Sequence, residues 1–482
     1  MMTKELLIIK LREYYALFGV LFASFLVSVS LGQYQNWDAL TEYGAASGVI
    51  QWGLPYTSPG ILINQPPLGY YIDALFFKTF GLSYETGVWV TTLFGLGSVF
   101  LVYEIGKILY GKRTGLVAAA LFGLAPWQVV MSRTFLIDSQ SLFFSLLYLL
   151  VGIWAIQKSS LKNFLVSGIL FGFALLTKAF AVFMLVPLLL VYINKRPKNL
   201  KRVIQEVALF FSPALFLNLL WYEVITDEGA LAIFRHNDFS TYFSGQVAPS
   251  GFFLANYFTG NLSIFFLAAC VLSLFLSLSQ RRLLSKFLFS DLICFATIVC
   301  ILGFDAFLVL GKNLLVPYIS VLKYTYPTLP AFCWLASSSI DKCCSLPQWK
   351  NFNRKQRILV FSIAVAGLFF ALAAIGVNMV HLNWLTKWNY LIFVVEREYG
   401  YSFNRLPPAW SNTQITAIQG VAFVLASLSL ALFNLDKIKS MAQQLRDYAN
   451  IRKKERTDSK PQISRQTKSP LLKLSSFFAS LT

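Results

Sequence analysis

Residues 86–113 read TGVWVTTLFGLGSVFLVYEIGKILYGKR: twenty positions with one charge, Glu104, and then Lys107, Lys112 and Arg113 within the next eight. About 20 apolar residues in a helix cross the hydrocarbon of a bilayer. Lys and Arg collect in the loops on the cytoplasmic side. The stretch therefore reads as a span that enters the membrane from outside and ends in the cytoplasm.

The same pattern recurs on both sides of it. Apolar runs predict spans near 14–32, 86–105, 114–131, 139–156, 164–177, 179–193, 203–225, 257–279, 288–308, 314–338, 358–380 and 413–434. The fold class expected is an all-α integral membrane protein of about twelve spans. The segments 1–13, 106–113, 157–163, 194–202, 280–287, 341–357 and 435–482 hold 32 of the 41 Lys and Arg residues. The other nine fall on the opposite side or at outer span ends, which predicts both termini in the cytoplasm. Residues 66–80 (PPLGYYIDALFFKTF) are apolar, but fifteen residues suit an interfacial helix better than a span. Were they a span, most later basic loops would move outside, so the reading lays them on the outer surface. The outer face then carries three substantial loops, 33–85, 226–256 and 381–412. The first span, behind Lys4, Lys10 and Arg12, reads as an uncleaved anchor rather than a signal peptide.

The rest of the composition agrees with this reading. Of 482 residues, 56% are apolar and only 13% charged, against about 25% charged in a soluble globular domain. The net charge of +19 comes from short clusters between apolar runs, so it reports topology and not a nucleic-acid surface. The six cysteines include none in a predicted outer segment, which argues against a disulfide framework. Two domains are expected. Residues 1–434 form the membrane domain, and 435–482 a basic cytoplasmic tail. The tail is amphipathic at first, with Leu435, Ile438, Met441 and Leu445 on one face to meet anionic lipid, and polar and disordered over 453–470.

Five ionisable residues stand on the outer side. Asp38 follows the first span in QNWDALTEYG. Arg133 and Asp138 lie in SRTFLIDSQ, Lys178 in GFALLTKAF, and Lys323 opens KYTYPTLPAF. A charge at a span needs a reason, because it costs at least ~2.5–3.5 kcal/mol at the bilayer centre. Two carboxylates and three cations at one interface can build an electrostatic cavity; taken singly, each more often snorkels or caps a helix. For Arg133 a salt bridge to Asp138 across about one helical turn weighs equally with a role at a phosphate.

These elements, in this order, resemble the type C glycosyltransferases, in particular the branch of protein O-mannosyltransferases and the aminoarabinose transferase of lipid A. The resemblance rests on Asp38 in WDALTEYG, QPPLGYY from Gln65 to Tyr71, the Arg133…Asp138 pair, LLTKA with Lys178, and Lys323–Tyr324 before Pro327 and Pro330. It is close over residues 14–195 and reduces to span pattern and the Lys323 element beyond. It implies a polyprenyl-phosphate sugar donor, an acceptor that is a lipid, glycan or protein, and an inverting displacement on the outer face of a plasma membrane. On the carried-over motifs, Asp38 is the expected base and Asp138 a second site carboxylate. Lys323, Arg133, Lys178 and Tyr324 are expected at the donor phosphate, and Gln65, Tyr70 and Glu42 in the acceptor and donor pocket. Three departures are visible: Ala39 follows Asp38 where the family often has Glu, with Glu42 one turn on; Asn64 and Gln65 are neutral where a Glu-Lys-Pro-Pro element serves metal or phosphate; and no large soluble outer domain is read. No organic cofactor is implied. A divalent metal stays open, with His236 the lone candidate ligand. The competing readings are a transporter or flippase of lipid-linked sugars, which would carry charges along a path to the inner side, and an inactive assembly subunit.

Overall fold

The computed structural model describes residues 4–30, 32–35, 37–59, 61–63, 65–195, 199–226, 264–279, 285–313, 326–345, 404–406 and 411–433. The predicted span at 358–380, the loop 226–256 and the tail from residue 434 lie outside them. Residues 1–433 form one unit. It is helical, with two small antiparallel strand pairs added to the expected all-α architecture.

Among the described residues five helices are long and apolar enough to cross a membrane. They cover Leu11–Ser30, Tyr84–Tyr110, Asp138–Lys158, Leu200–Trp221 and Thr413–Phe433; Leu161–Thr177 and Ala179–Lys195 are shorter apolar helices. Helix α1 (Lys4–Ser30) leads through strand β1 (Gln33–Gln35) to α2 (Trp37–Trp52). A hairpin of β2 (Tyr56–Ser58) and β3 (Ile61–Leu62) connects α2 to α3 (Leu68–Phe80). The first outer segment, read as a loop with one surface helix, is thus built from two helices and a hairpin. Helix α3 stops at Gly81, whose φ of 98° only glycine adopts without cost and whose N–H bonds the Phe77 carbonyl. Thirteen residues cannot cross a bilayer. Its buried face is Gly69, Tyr70, Asp73, Ala74 and Phe77.

Helix α4 (Tyr84–Tyr110) is capped by Ser83, which accepts from Thr86 N at 3.0 Å, and carries Lys107 in its last turn, where the helix dipole favours a cation. The next predicted span, 114–131, is not one helix. It is divided into α5 (Lys112–Gly123) and α6 (Pro126–Ser132). Pro126 has no N–H to donate and its ring forces Ala125 out of the helical region, to ψ 130°. Helices α7 (Asp138–Lys158), α8 (Leu161–Thr177), a 3₁₀ turn (Ala179–Met184), α9 (Leu185–Lys195) and α10 (Leu200–Thr226) follow. Glycines set the closest crossings. A Cβ on Gly168 would stand 2.2 Å from the Phe210 carbonyl oxygen and 2.8 Å from its carbon, so the α10 backbone itself blocks it. Gly168→Ala should therefore destabilise the α8–α10 pair by about 1–3 kcal/mol. The check is a lower melting temperature of the detergent-solubilised protein; an unchanged one would contradict the crossing.

The last helix, Asn412–Phe433, runs antiparallel to α1. Gln419 Nε2 donates to Ser30 Oγ at 3.4 Å near one end, and Gly19 meets Ser429 near the other. Strand β4 (Asn404–Leu406) pairs with β1, Gln33 opposite Leu406 and Tyr34 opposite Arg405. The start of α1 and the end of the last helix therefore share one end of the bundle.

That end holds Lys107 and Lys112, two of the basic residues read as cytoplasmic. Lys112 Nζ contacts Glu13 at 2.5 Å and Lys107 contacts Glu104 at 2.8 Å. One assignment needs correcting here. Residues 341–357 were read as an inner loop, but Asp341 and Lys342 belong to the helix Leu329–Ser345. Lys342 is fully buried, 2.6 Å from both Asp291 oxygens and from Ser273 Oγ. A buried ammonium persists only with partners of this kind, and hydropathy cannot see them.

Candidate functional site

The opposite end collects those of the residues singled out above that the structure describes. Asp138 is the first residue of α7, where the helix dipole favours a carboxylate. Lys178 caps the C-terminus of α8 with an extended backbone (φ −162°, ψ 133°), where the dipole favours a cation. The two meet at 2.6 Å with side chains 5% and 8% exposed. The ion pair of Asp138 is thus with Lys178, forty residues on, and not with Arg133. The helical-turn argument for an Arg133–Asp138 bridge fails because α6 ends before Arg133, and the intervening Thr134–Ile137 turn separates the two side chains.

Arg133 is buried. Its Nε donates to the Gly32 carbonyl at 2.6 Å, Nη1 donates to Thr92 Oγ1 at 3.2 Å, and its guanidinium lies 5.3 Å over the Trp89 ring. Trp89 is 37% exposed. The cation is held where the ends of α1, α4 and α6 converge.

Helix α2 contributes two carboxylates. Asp38 is in its first turn and half-buried. Glu42, one turn on, is buried and accepts from Ile137 N at 2.9 Å, the backbone group just before α7. The substitution of Ala39 after Asp38 therefore leaves a second acid on the same helix, directed at the α7 start. From α3, Tyr70 is fully buried and donates to Gln65 Oε1 at 3.0 Å. Burial, and then the charge of Glu42, push its hydroxyl well above the ordinary range, so it stays a neutral donor. Four acidic side chains, Glu42, Asp73, Asp138 and Asp38, thus lie within electrostatic reach of one phenol.

Asp73 and Gln140 were not anticipated. Asp73 is buried in α3 and accepts from Gln140 Nε2 at 2.7 Å. The available signal was a lone carboxylate inside YYIDALFF, a segment otherwise apolar on every face.

Lys323, Tyr324 and His236 lie outside the described residues. The turn that follows Lys323 does reach this end of the bundle: Tyr326 donates its hydroxyl to Gln128 Oε1 of α6. Among the described residues no three His, Cys, Asp or Glu side chains are grouped to hold a metal ion. Asp138 and Asp73 are taken up by Lys178 and Gln140, which does not suit either of them to hold a metal.

Comparison with known proteins covers the same region. Residues 64–222 match the family model for dolichyl-phosphate-mannose-protein mannosyltransferases. YycA of Bacillus subtilis (strain 168), whose name describes a mannosyltransferase candidate, is 30% identical over 162 residues, 33% of this chain and 24% of that protein. YkcB of the same organism, named likewise, is 27% identical over 162 residues, 33% of this chain and 23% of that protein. The alignment spans about a quarter of the length of these relatives. Crystal structures of ArnT from Cupriavidus metallidurans share the architecture. The apo form has a TM-score of 0.52 at 15% identity and the form bound to undecaprenyl phosphate 0.52 at 16%; each alignment covers 87% of this chain and 76% of that one. The chain is thus similar to these transferases in sequence over residues 64–222 and in fold over 87% of its length.

Proposed function

We propose that the protein transfers a sugar from a polyprenyl-phosphate donor to an acceptor at the outer face of a plasma membrane, through a single inverting displacement. The observation that carries this reading is the convergence of Asp38, Glu42, Asp138, Lys178 and Arg133 at one end of the bundle, opposite the Lys107 and Lys112 end. The ArnT relative's complex with undecaprenyl phosphate supports a lipid-linked donor. The same reading keeps the expected topology of about twelve spans with both ends in the cytoplasm, and the basic tail from residue 435.

In this mechanism the acceptor oxygen bonds to the anomeric carbon as the carbon–phosphate oxygen bond breaks. The acceptor proton passes to the Asp38 carboxylate, and polyprenyl phosphate leaves with the bonding pair. Asp38 suits the base because it is half-buried in the first turn of α2, just past the first span, where a lipid donor's headgroup can reach. Asp138, fixed on Lys178, orients the site and does not accept the proton. Lys178 accordingly moves from the donor phosphate to support of Asp138. Arg133, with Lys323 and Tyr324 from the later element, faces the leaving phosphate, where preorganised cations stabilise developing charge. Gln65 and Tyr70 line the acceptor side.

The test supplies membranes containing the protein with radiolabelled undecaprenyl-phosphate mannose and other polyprenyl-phosphate sugars, and follows label into lipid, glycan and protein. Transfer into one fraction is expected and names the acceptor class. Label that crosses the bilayer on its original lipid, with none transferred, would instead establish the transporter reading.

A further inference from the structure

Asp73 and Gln140 form a buried pair with one unresolved valence. Gln140 Nε2 donates to Asp73 Oδ1 at 2.7 Å, yet Gln140 Oε1 is buried and has no hydrogen-bond partner among the described residues. Both residues are essentially inaccessible to water, at 1% and 0% exposure. An ionised carboxylate has only lone pairs to offer an amide oxygen. A carboxylic acid has one proton, and it completes a ring: the acid O–H donates to Oε1 while Nε2 donates back to Oδ1. A buried amide oxygen left without a donor costs about 1–3 kcal/mol, so the proton has a structural reason to stay.

The surroundings point the same way. Glu42 of α2 acts directly on Asp73; around it, Glu42, Asp138 and Asp38 act on Tyr70 of α3, Glu42 acts on Tyr84 of α4, and Lys178 at the end of α8 pairs with Asp138. Among the described residues Lys178 is the cation paired within this group, and Asp138 holds it. Burial first, and the Glu42 charge second, push the Asp73 carboxyl well above the usual range, and the Gln140 bond only partly offsets them.

The pair also sits where it can set geometry. Asp73 is three residues after Tyr70 on α3, and Gln140 two after Asp138 on α7. Gly69 lets the two helices touch: a Cβ there would stand 2.6 Å from Ile137 Cγ2 and 3.1 Å from Gln140 Oε1. We infer that Asp73 is held in the folded protein as a neutral carboxylic acid and, through a closed acid–amide pair with Gln140, positions α3 and its Tyr70 against Asp138. It is a positioning residue that keeps a fourth negative charge out of the site.

Asparagine can reproduce the neutral acid, since its amide N–H replaces the acid O–H toward Oε1; leucine cannot. The experiment uses the full chain in nanodiscs, as wild type, Asp73→Asn and Asp73→Leu. Infrared difference spectra at pH 7 should show the carbonyl band of a protonated carboxylic acid in wild type that is missing in Asp73→Asn. Melting is then followed against pH. In the unfolded chain Asp73 ionises near about 3.9, while in the folded chain it keeps its proton. Wild-type folding therefore weakens as pH rises from that value to the folded one, by up to about tenfold per pH unit. Asp73→Asn lacks this loss, so its melting temperature should match wild type at low pH and exceed it increasingly as pH rises. Asp73→Leu should melt lower throughout. A wild type with no such band, an Asn variant that fails to fold or melts below wild type at pH 7, or a Leu variant that melts like wild type would each overturn the inference. None of these readouts needs a sugar donor, so they stand apart from the transfer reading.

Discussion

Asp38→Asn is expected to lower label transfer by about 10²- to 10⁴-fold, the range a positioned general base contributes, while the protein stays inserted at wild-type amount. The substitution keeps size and hydrogen-bonding shape but cannot take the acceptor proton. Asp38 lies in the first turn of α2 and is half-buried, and asparagine fits the same position. Measuring transfer from undecaprenyl-phosphate mannose, or whichever donor the wild type accepts, decides the matter. Equal rates in the two proteins would remove Asp38 as the base and move the search to Glu42 on the same helix.

The second large effect belongs to the buried pair. Lys178→Met leaves the Asp138 carboxylate, 5% exposed, without its ammonium. Removing one partner of a buried ion pair costs about 3–5 kcal/mol, because the remaining charge is uncompensated. Asp138→Asn combined with Lys178→Met should recover most of that loss, since both charges leave together. A double-mutant cycle on unfolding in detergent measures the coupling directly. Additive losses would mean the two charges do not depend on each other, contrary to the 2.6 Å contact. The cycle also separates roles. If the double variant is stable yet transfers slowly, Asp138 acts on the substrate side; if stability and transfer return together, the pair is scaffolding.

Much of the protein is legible along the chain, because hydropathy and basic clusters are local properties. Leucine, valine and phenylalanine prefer lipid wherever they meet it, and a span is one uninterrupted segment. The helices at 84–110, 138–158 and 412–433 therefore fall where the apolar runs place them. The motif residues Asp38, Arg133, Asp138 and Lys178 could be picked out for a related reason: a charge beside a span costs free energy and asks for a purpose. Tertiary structure decided which charge meets which. Arg133 is five residues from Asp138 but turns to Gly32 and Thr92, while Lys178, forty residues away, takes the carboxylate. A two-residue break at Leu124–Ala125 makes two helices of one apolar run. Asp73 passes unremarked in an apolar segment, and Lys342 reads as an inner-loop cation, until Gln140 and Asp291 arrive from distant helices. Burial of a polar group is set by its partner's position in space, and that partner is supplied by packing, which no local composition records.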